Sequence, residues 1–259
     1  MRSASNSLNY ASGMTYNALG QLTQMTYGNT VVTHYTYDAL NARLKSIQVG
    51  SSGSLLNLSY GYDAVGNVKA ITDTTNSGQV QTFGYDALDR LIAASTTLTG
   101  TGQYVESYQY NPIGNITYTS RLGNYSYSDP LHKHAATAAG SNRYAYDKNG
   151  NMITRTEWVS PTLAYTYTQQ WNSENRLTVV TATNGITQSV TRFYYDGDGK
   201  RVKKTEGVTA TVYVGAIYEK NVTTGVTTTY YYAGSQRVAM RQGNVVSYLH
   251  GDVRHEVAG

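Results

Sequence analysis

A short unit recurs along most of this chain and constrains the fold more than any other feature. It reads as an aromatic, a turn-forming polar residue, two variable residues, a Gly or Asn, a polar residue and an aliphatic, and its clearest copy is Tyr195-Asp196-Gly197-Asp198-Gly199-Lys200-Arg201-Val202. Earlier copies begin Tyr16-Asn17-Ala18-Leu19-Gly20, Tyr37-Asp38-Ala39-Leu40-Asn41, Tyr62-Asp63-Ala64-Val65-Gly66 and Tyr85-Asp86-Ala87-Leu88-Asp89. They continue with Tyr110-Asn111-Pro112-Ile113-Gly114, Tyr146-Asp147-Lys148-Asn149-Gly150 and Trp171-Asn172-Ser173-Glu174-Asn175. A degenerate copy stands at Tyr127-Ser128-Asp129-Pro130. Spacing between starts runs from 17 residues (Tyr110 to Tyr127) to 25 (Tyr37 to Tyr62), the signature of a stacked repeat architecture.

Each unit has the chemistry of a β-hairpin turn. An Asp or Asn after the aromatic can accept hydrogen bonds from backbone N–H groups further along the turn, and Gly or Asn four after the aromatic tolerates the left-handed conformation that sends the chain back. The expected form is a type I turn closed by a glycine bulge. Upstream, aromatics sit two apart, as at Tyr35 and Tyr37, Tyr60 and Tyr62, Phe83 and Tyr85, and Tyr108 and Tyr110. That spacing puts both rings on one face of a strand, so stacked hairpins align them into cross-strand ladders.

Composition agrees with an all-β chain. There are 26 Tyr against 2 Phe and 2 Trp, which favours rings that carry a hydroxyl. Hydrophobic residues make up 40% and charged residues 14%, enough apolar surface to exclude disorder. There is no cysteine, so disulfides, thiolate metal sites and cysteine nucleophiles are excluded. A net charge of +4, with only Lys200, Arg201, Lys203 and Lys204 clustered, is too small for a nucleic-acid stripe. No run of about 20 apolar residues suits a membrane span, and residues 1–20 lack the apolar core of a signal peptide. The expectation is no nucleic acid and no membrane insertion.

From Val208 onward the unit dissolves while strand signals persist, for instance Val212-Tyr213-Val214 and Thr227 to Tyr232. The expected organisation is therefore a hairpin array of about nine repeats over 1–207 and a degenerate β continuation of the same sheet over 208–259. The chain resembles the RHS or YD-repeat family, named for the Tyr-Asp found here at 37, 62, 85, 146 and 195, and the resemblance covers about residues 14 to 252. It implies a spiralling or partly closed β-strip like those that enclose or display a toxin in bacterial polymorphic toxins, insecticidal Tc-toxin C components and teneurins. The family's self-cleavage motif and a toxin domain are not found after Asp252. About 20 to 24 strands at ~4.8 Å each would close into a ring with ~20 to 27 Å of interior, tight for a folded domain of about 13 Å radius of gyration.

Chemical candidates are few. His132 and His134, two apart on an expected strand, could share a face and hold a metal; His250, Asp252, His255 and Glu256 are the densest donor cluster; Asp196 and Asp198 faintly resemble a calcium loop lacking its closing Glu. The repeated aspartates are accounted for by turn chemistry, and no nucleophile elbow is present. The reading is a non-enzymatic structural scaffold without metal or cofactor, exported or at the cell surface. Strand signals near both termini suggest open sheet edges and head-to-tail self-association into a filament. The alternatives are a fragment of a toxin-enclosing shell, with toxin cargo as partner, and a carbohydrate-binding module whose tyrosines hold a surface glycan.

Overall fold

A computed structural model describes residues 9–250. They form 23 strands and one 3-10 turn at Ser51–Gly53. One compact unit comprises the described residues through Glu106 together with those from Tyr230 onward, and the other comprises Ser107–Thr229. The first opens with β1 (Ala11–Tyr16), β2 (Leu22–Tyr27), β3 (Val32–Tyr37), β4 (Leu44–Val49), β5 (Leu56–Tyr62), β6 (Val68–Asp73), β7 (Gln79–Tyr85) and β8 (Leu91–Thr96). Next come β9 (Val105–Tyr110), β10 (Ile116–Thr119), β11 (Gly123–Ser126), β12 (Ala138–Ala139), β13 (Asn142–Tyr146), β14 (Met152–Ser160) and β15 (Leu163–Trp171). Then follow β16 (Leu177–Thr183), β17 (Gln188–Tyr195), β18 (Arg201–Glu206), β19 (Thr209–Val214), β20 (Tyr218–Asn221), β21 (Thr227–Ala233), β22 (Gln236–Gln242) and β23 (Val245–Tyr248).

Pairing is antiparallel between neighbours in sequence. It runs β1 to β8 and β9 to β21, with β22 on β23. The fold is thus all-β, stacked hairpins in a 23-stranded sheet. Past Val208 the ladder continues through β19, β20 and β21, with Lys203 opposite Val212 and Val212 opposite Lys220. Alternation is clear in β9, where Tyr108 and Tyr110 are half-buried and Ser107 and Gln109 exposed.

At each repeat the register slips by one residue at the aromatic, as between Gly61 and Tyr62 or Tyr194 and Tyr195. The residue four after the aromatic then has positive φ: +88° at Gly114, +82° at Gly199, +58° at Asp89 and +57° at Asn175. In the Tyr37 copy, one residue longer, that conformation falls on Ala42 at +58°. Two glycines do more than turn. A Cβ on Gly199 would lie 3.1 Å from Arg176 Cζ, and one on Gly66 would lie 2.8 Å from Arg43 Nη2, whereas Gly114 has open space around it.

These conformations predict substitutions of opposite sign. Gly199→Val puts a β-branched residue at positive φ and pushes on Arg176, so a loss of about 2–3 kcal/mol is expected. Ala42→Gly relieves about 1–2 kcal/mol of left-handed strain but adds unfolded-state entropy, leaving a gain of about 0.5–1 kcal/mol. Urea unfolding midpoints of the two variants check both signs.

Two apolar cores lie in the first unit. In one, Ile47, Val49, Leu58, Tyr60 and Ile71 pack with Tyr35, Tyr62 and Phe83. The other joins residues from opposite ends of the chain: Tyr10, Ala11, Met25 and Tyr27 with Val238 and Ala239, flanked by Tyr231, Val246 and Tyr248. Tyr10 stacks on Tyr231 with ring centroids 3.6 Å apart, and Tyr27 meets Tyr248 edge-on. Terminal strands read as exposed edges in the sequence therefore bury faces against each other, through contacts that only a folded chain can bring together.

Candidate functional site

The repeat turns hold nearly all the aspartates, and the carboxylate that directly follows the motif aromatic is engaged by its own turn. Asp63 Oδ1 accepts from the N–H groups of Val65, Gly66 and Asn67, and its Oδ2 from Asn67 Nδ2. Asp147 repeats this with Asn149 and Asn151, and Asp86 with Leu88, Arg90 and the Arg90 guanidinium. Asp38 accepts from Leu40 and Asn41, and Asp196 from Lys200. Asn17, Asn111 and Asn172 accept in the same way through their amide oxygens.

The aromatics form a second ladder, between repeats. Tyr37 Oη donates to Leu22 O at 2.9 Å, Tyr62 to Leu44 O at 2.7 Å, Tyr85 to Val68 O at 2.9 Å and Tyr195 to Leu177 O at 2.7 Å. Every acceptor is the aliphatic that closes the preceding repeat. Tyr146 donates to Ala136 O, and the degenerate copy keeps the device through Tyr127 to Ile116 O. Trp171 supplies its indole N–H to Met152 O at 2.8 Å. A donor on the ring is the shared requirement, which explains why Trp substitutes for Tyr here and Phe does not.

A third set of bonds was not read from the sequence. The polar residue before the closing aliphatic reaches the next turn: Gln21 Nε2 to Ala42 O, Arg43 Nη1 to Asp63 O, Asn67 Nδ2 to Asp89 Oδ1, and Arg176 Nη1 to Asp196 O. Both arginines also lie over the next motif ring, Arg43 above Tyr62 and Arg176 above Tyr195, each at 5.7 Å. The alternation of Arg, Asn and Gln at one motif position was the available signal.

Protonation follows from this bonding. Asp86 is held below the ordinary carboxylate range first by the Arg90 side chain, Asp147 by the Asn151 amide, and Asp38 by the Leu40 and Asn41 N–H groups. Partial burial pushes Asp63 up, and the Asn67, Gly66 and Val65 donors more than offset it. Burial raises the Tyr37, Tyr62, Tyr85, Tyr127 and Tyr146 hydroxyls, keeping them donors. Carboxyls lowered on folding contribute stability above their unfolded pKa of about 3.9 and lose it as pH falls through the folded values. Hydroxyls raised on folding contribute below about pH 10 and lose it as pH climbs through theirs. Thermal unfolding against pH should show a plateau falling away on both sides.

The remaining candidates are dispersed. His132 and His134 lie in the loop between β11 and β12 rather than on a strand, so the alternation that would give them a shared face does not apply. His132 Nδ1 pairs with Asp129 Oδ2 at 2.8 Å, which raises its pKa, and His134 Nδ1 with Asn115 Oδ1 at 2.6 Å. His250 packs on the Tyr27 ring and meets Thr33 Oγ1, and burial lowers its pKa. Asp252, His255 and Glu256 lie outside the described residues. No group of three or more His, Cys, Asp or Glu side chains is placed to hold a metal among the described residues. A shallow depression on the first unit is lined by Lys69, Thr82, Gly84, Ala93, Ser95 and Glu106, a set without a nucleophile–base pair.

Comparison with known proteins adds three findings. The RHS repeat profile matches residues 16–54 and 62–102. Toxin subunit YenC1 of Yersinia entomophaga is 27% identical over 275 residues, covering 90% of this chain and 27% of that protein, and toxin subunit YenC2 of the same organism is 30% identical over 141 residues, covering 40% and 14%. The chain thus spans about a quarter of YenC1. The crystal structure of TcdB2-TccC3 superposes with a TM-score of 0.67 at 20% identity, over 94% of this chain and 15% of that one, a likeness of fold.

Proposed function

This chain is an RHS-repeat protein, and from that premise we propose that it is a non-enzymatic scaffold, a section of β-wall of the kind that toxin subunits are built from. One observation carries the reading: the reactive-looking groups of the repeats are engaged in holding the wall together. Asp63, Asp86 and Asp147 each bind their own turn through both oxygens, and the motif tyrosine hydroxyls hold the preceding repeat. Likeness to YenC1 and YenC2, both named toxin subunits, favours a place outside the producing cell and a toxin as the material enclosed or displayed.

The carbohydrate alternative draws less support, because the motif rings Tyr37, Tyr62, Tyr146 and Tyr195 are half-buried with their hydroxyls already donated. Head-to-tail filament growth is likewise less favoured, since Tyr10, Ala11, Val238 and Ala239 pack into one core. Titrating the purified chain with neutral and acidic oligosaccharides tests the scaffold reading. No saturable change in tyrosine fluorescence is expected. Saturable binding abolished by Tyr194→Ala, at the most exposed ring of β17, would favour the carbohydrate module instead.

A further inference from the structure

One repeat closes its turn with a titratable side chain. Asp63, Asp86 and Asp147 each take a side-chain donor on Oδ2, from Asn67, Arg90 and Asn151, groups that keep their donors at every ordinary pH. In the degenerate copy Asp129 keeps the first half of this device, its Oδ1 accepting the Leu131 N–H at 2.9 Å as Asp63 accepts that of Val65. The second half falls to His132, whose Nδ1 meets Asp129 Oδ2 at 2.8 Å. An imidazole therefore stands where the other copies carry an amide or a guanidinium.

The same ring faces the following repeat. A Cβ on Gly150 would lie 3.3 Å from His132 Cδ2 and 3.5 Å from Nε2, so the ring edge away from Asp129 rests on the turn between β13 and β14. There the Lys148 backbone bonds the ring, one residue past the turn aspartate, as Arg43 reaches Ala64 O in an earlier seam. A neutral imidazole carries one N–H, and only the imidazolium donates toward both repeats at once. The charged groups facing His132 are Asp129 in its own loop and Asp147 in the next turn, both of which favour the cation. Lys133 and Lys148 are exposed beside it, and from the preceding turn comes the neutral Asn115, which donates to Lys133 O and meets His134 Nδ1.

We propose that His132 is a pH-operated clasp between the degenerate repeat and the one that follows, closed when the imidazolium bridges Asp129 and the Lys148 backbone and loosened when the ring loses its proton. The bond to Asp129 raises the His132 pKa, and desolvation opposes it less strongly. A value raised in the closed loop means that the clasp contributes fully below the ordinary imidazole pKa of about 6.5, and that this contribution is lost as pH climbs through the closed-state value. The pair is partly solvated, so its loss opens this seam locally rather than unfolding the unit. The clasp goes beyond the scaffold reading and does not depend on it.

Native-state hydrogen exchange of the whole chain between about pH 5.5 and about pH 8 tests this, read at Ala135, whose N–H donates to His132 O, and at Gly150, whose N–H donates to Asp147 O. After correction for the intrinsic pH dependence of exchange, protection at both amides is expected to fall at least about threefold as pH rises. Gly199, in a turn without histidine, should hold its protection. His132→Gln, which keeps an amide donor but does not titrate, should abolish the change, and His134→Gln should retain it. An NMR titration of the His132 ring in the parent chain, independent of how any variant folds, should give an apparent pKa above about 6.5. Protection that stays flat across the range, a fall that persists in His132→Gln or vanishes in His134→Gln, or a His132 pKa at or below about 6.5 would overturn the proposal.

Discussion

Val238→Asp should lower the stability of the unit that joins the two chain ends by more than about 4 kcal/mol, measured by urea unfolding. Val238 is fully buried in a core that also contains Tyr10, Met25 and Tyr27. A carboxylate there has no cation to meet among the residues of that core, so it must either stay unpaired or be protonated, and both cost folding free energy. Val208→Asp is the control. Its side chain is 92% exposed, and a change within about 0.5 kcal/mol is expected. The stacked pair Tyr10 and Tyr231 gives a finer reading of the same packing, since a double-mutant cycle with Ala should yield a coupling of about 0.5–1.5 kcal/mol. Equal stability of Val238→Asp and the parent chain would mean that the ends do not pack in solution.

Tyr62→Phe and Tyr195→Phe should each cost about 1–3 kcal/mol, because the ring volume stays while the Leu44 or Leu177 carbonyl loses its donor in a partly buried site. Tyr194→Phe, a neighbour in sequence but 44% exposed and pointing to the opposite face, should be close to neutral. The contrast separates a hydrogen-bond ladder from aromatic area alone. If all three variants behaved alike, the rings would be acting only through burial, and the abundance of Tyr over Phe would need another cause.

Much of this architecture was legible because it is local. Asp or Asn after an aromatic, then Gly at a left-handed position, is turn chemistry complete within five residues, and two-residue spacing of rings identifies a strand face without knowledge of its partner. Even so, the extra residue in the Tyr37 copy moved the left-handed position to Ala42, which the Gly pattern alone did not indicate. What stayed hidden depends on contacts distant in sequence. Gln21 to Ala42, Arg43 to Asp63 and Arg176 to Asp196 each cross about twenty residues, and only the stacked sheet brings the donor within reach. The packing of Tyr10 on Tyr231 spans almost the full chain and has no periodic signal at all. His132 and His134 were misplaced for a related reason: the degenerate Tyr127 copy replaces a strand with a loop, and strand alternation ceases to apply there.

The central claim is that the first unit is packed without ligand, with its strands from the two ends of the chain sharing one core. Native-state hydrogen exchange on the unliganded chain tests it most directly. The account predicts that amides of β1 and β2 and those of β22 and β23, about 200 residues apart in sequence, open together at one free energy, with strands between them protected. Exchange of β22 and β23 at a much lower free energy than β1 and β2, or strands that gain protection only when a sugar or cargo is added, would contradict it.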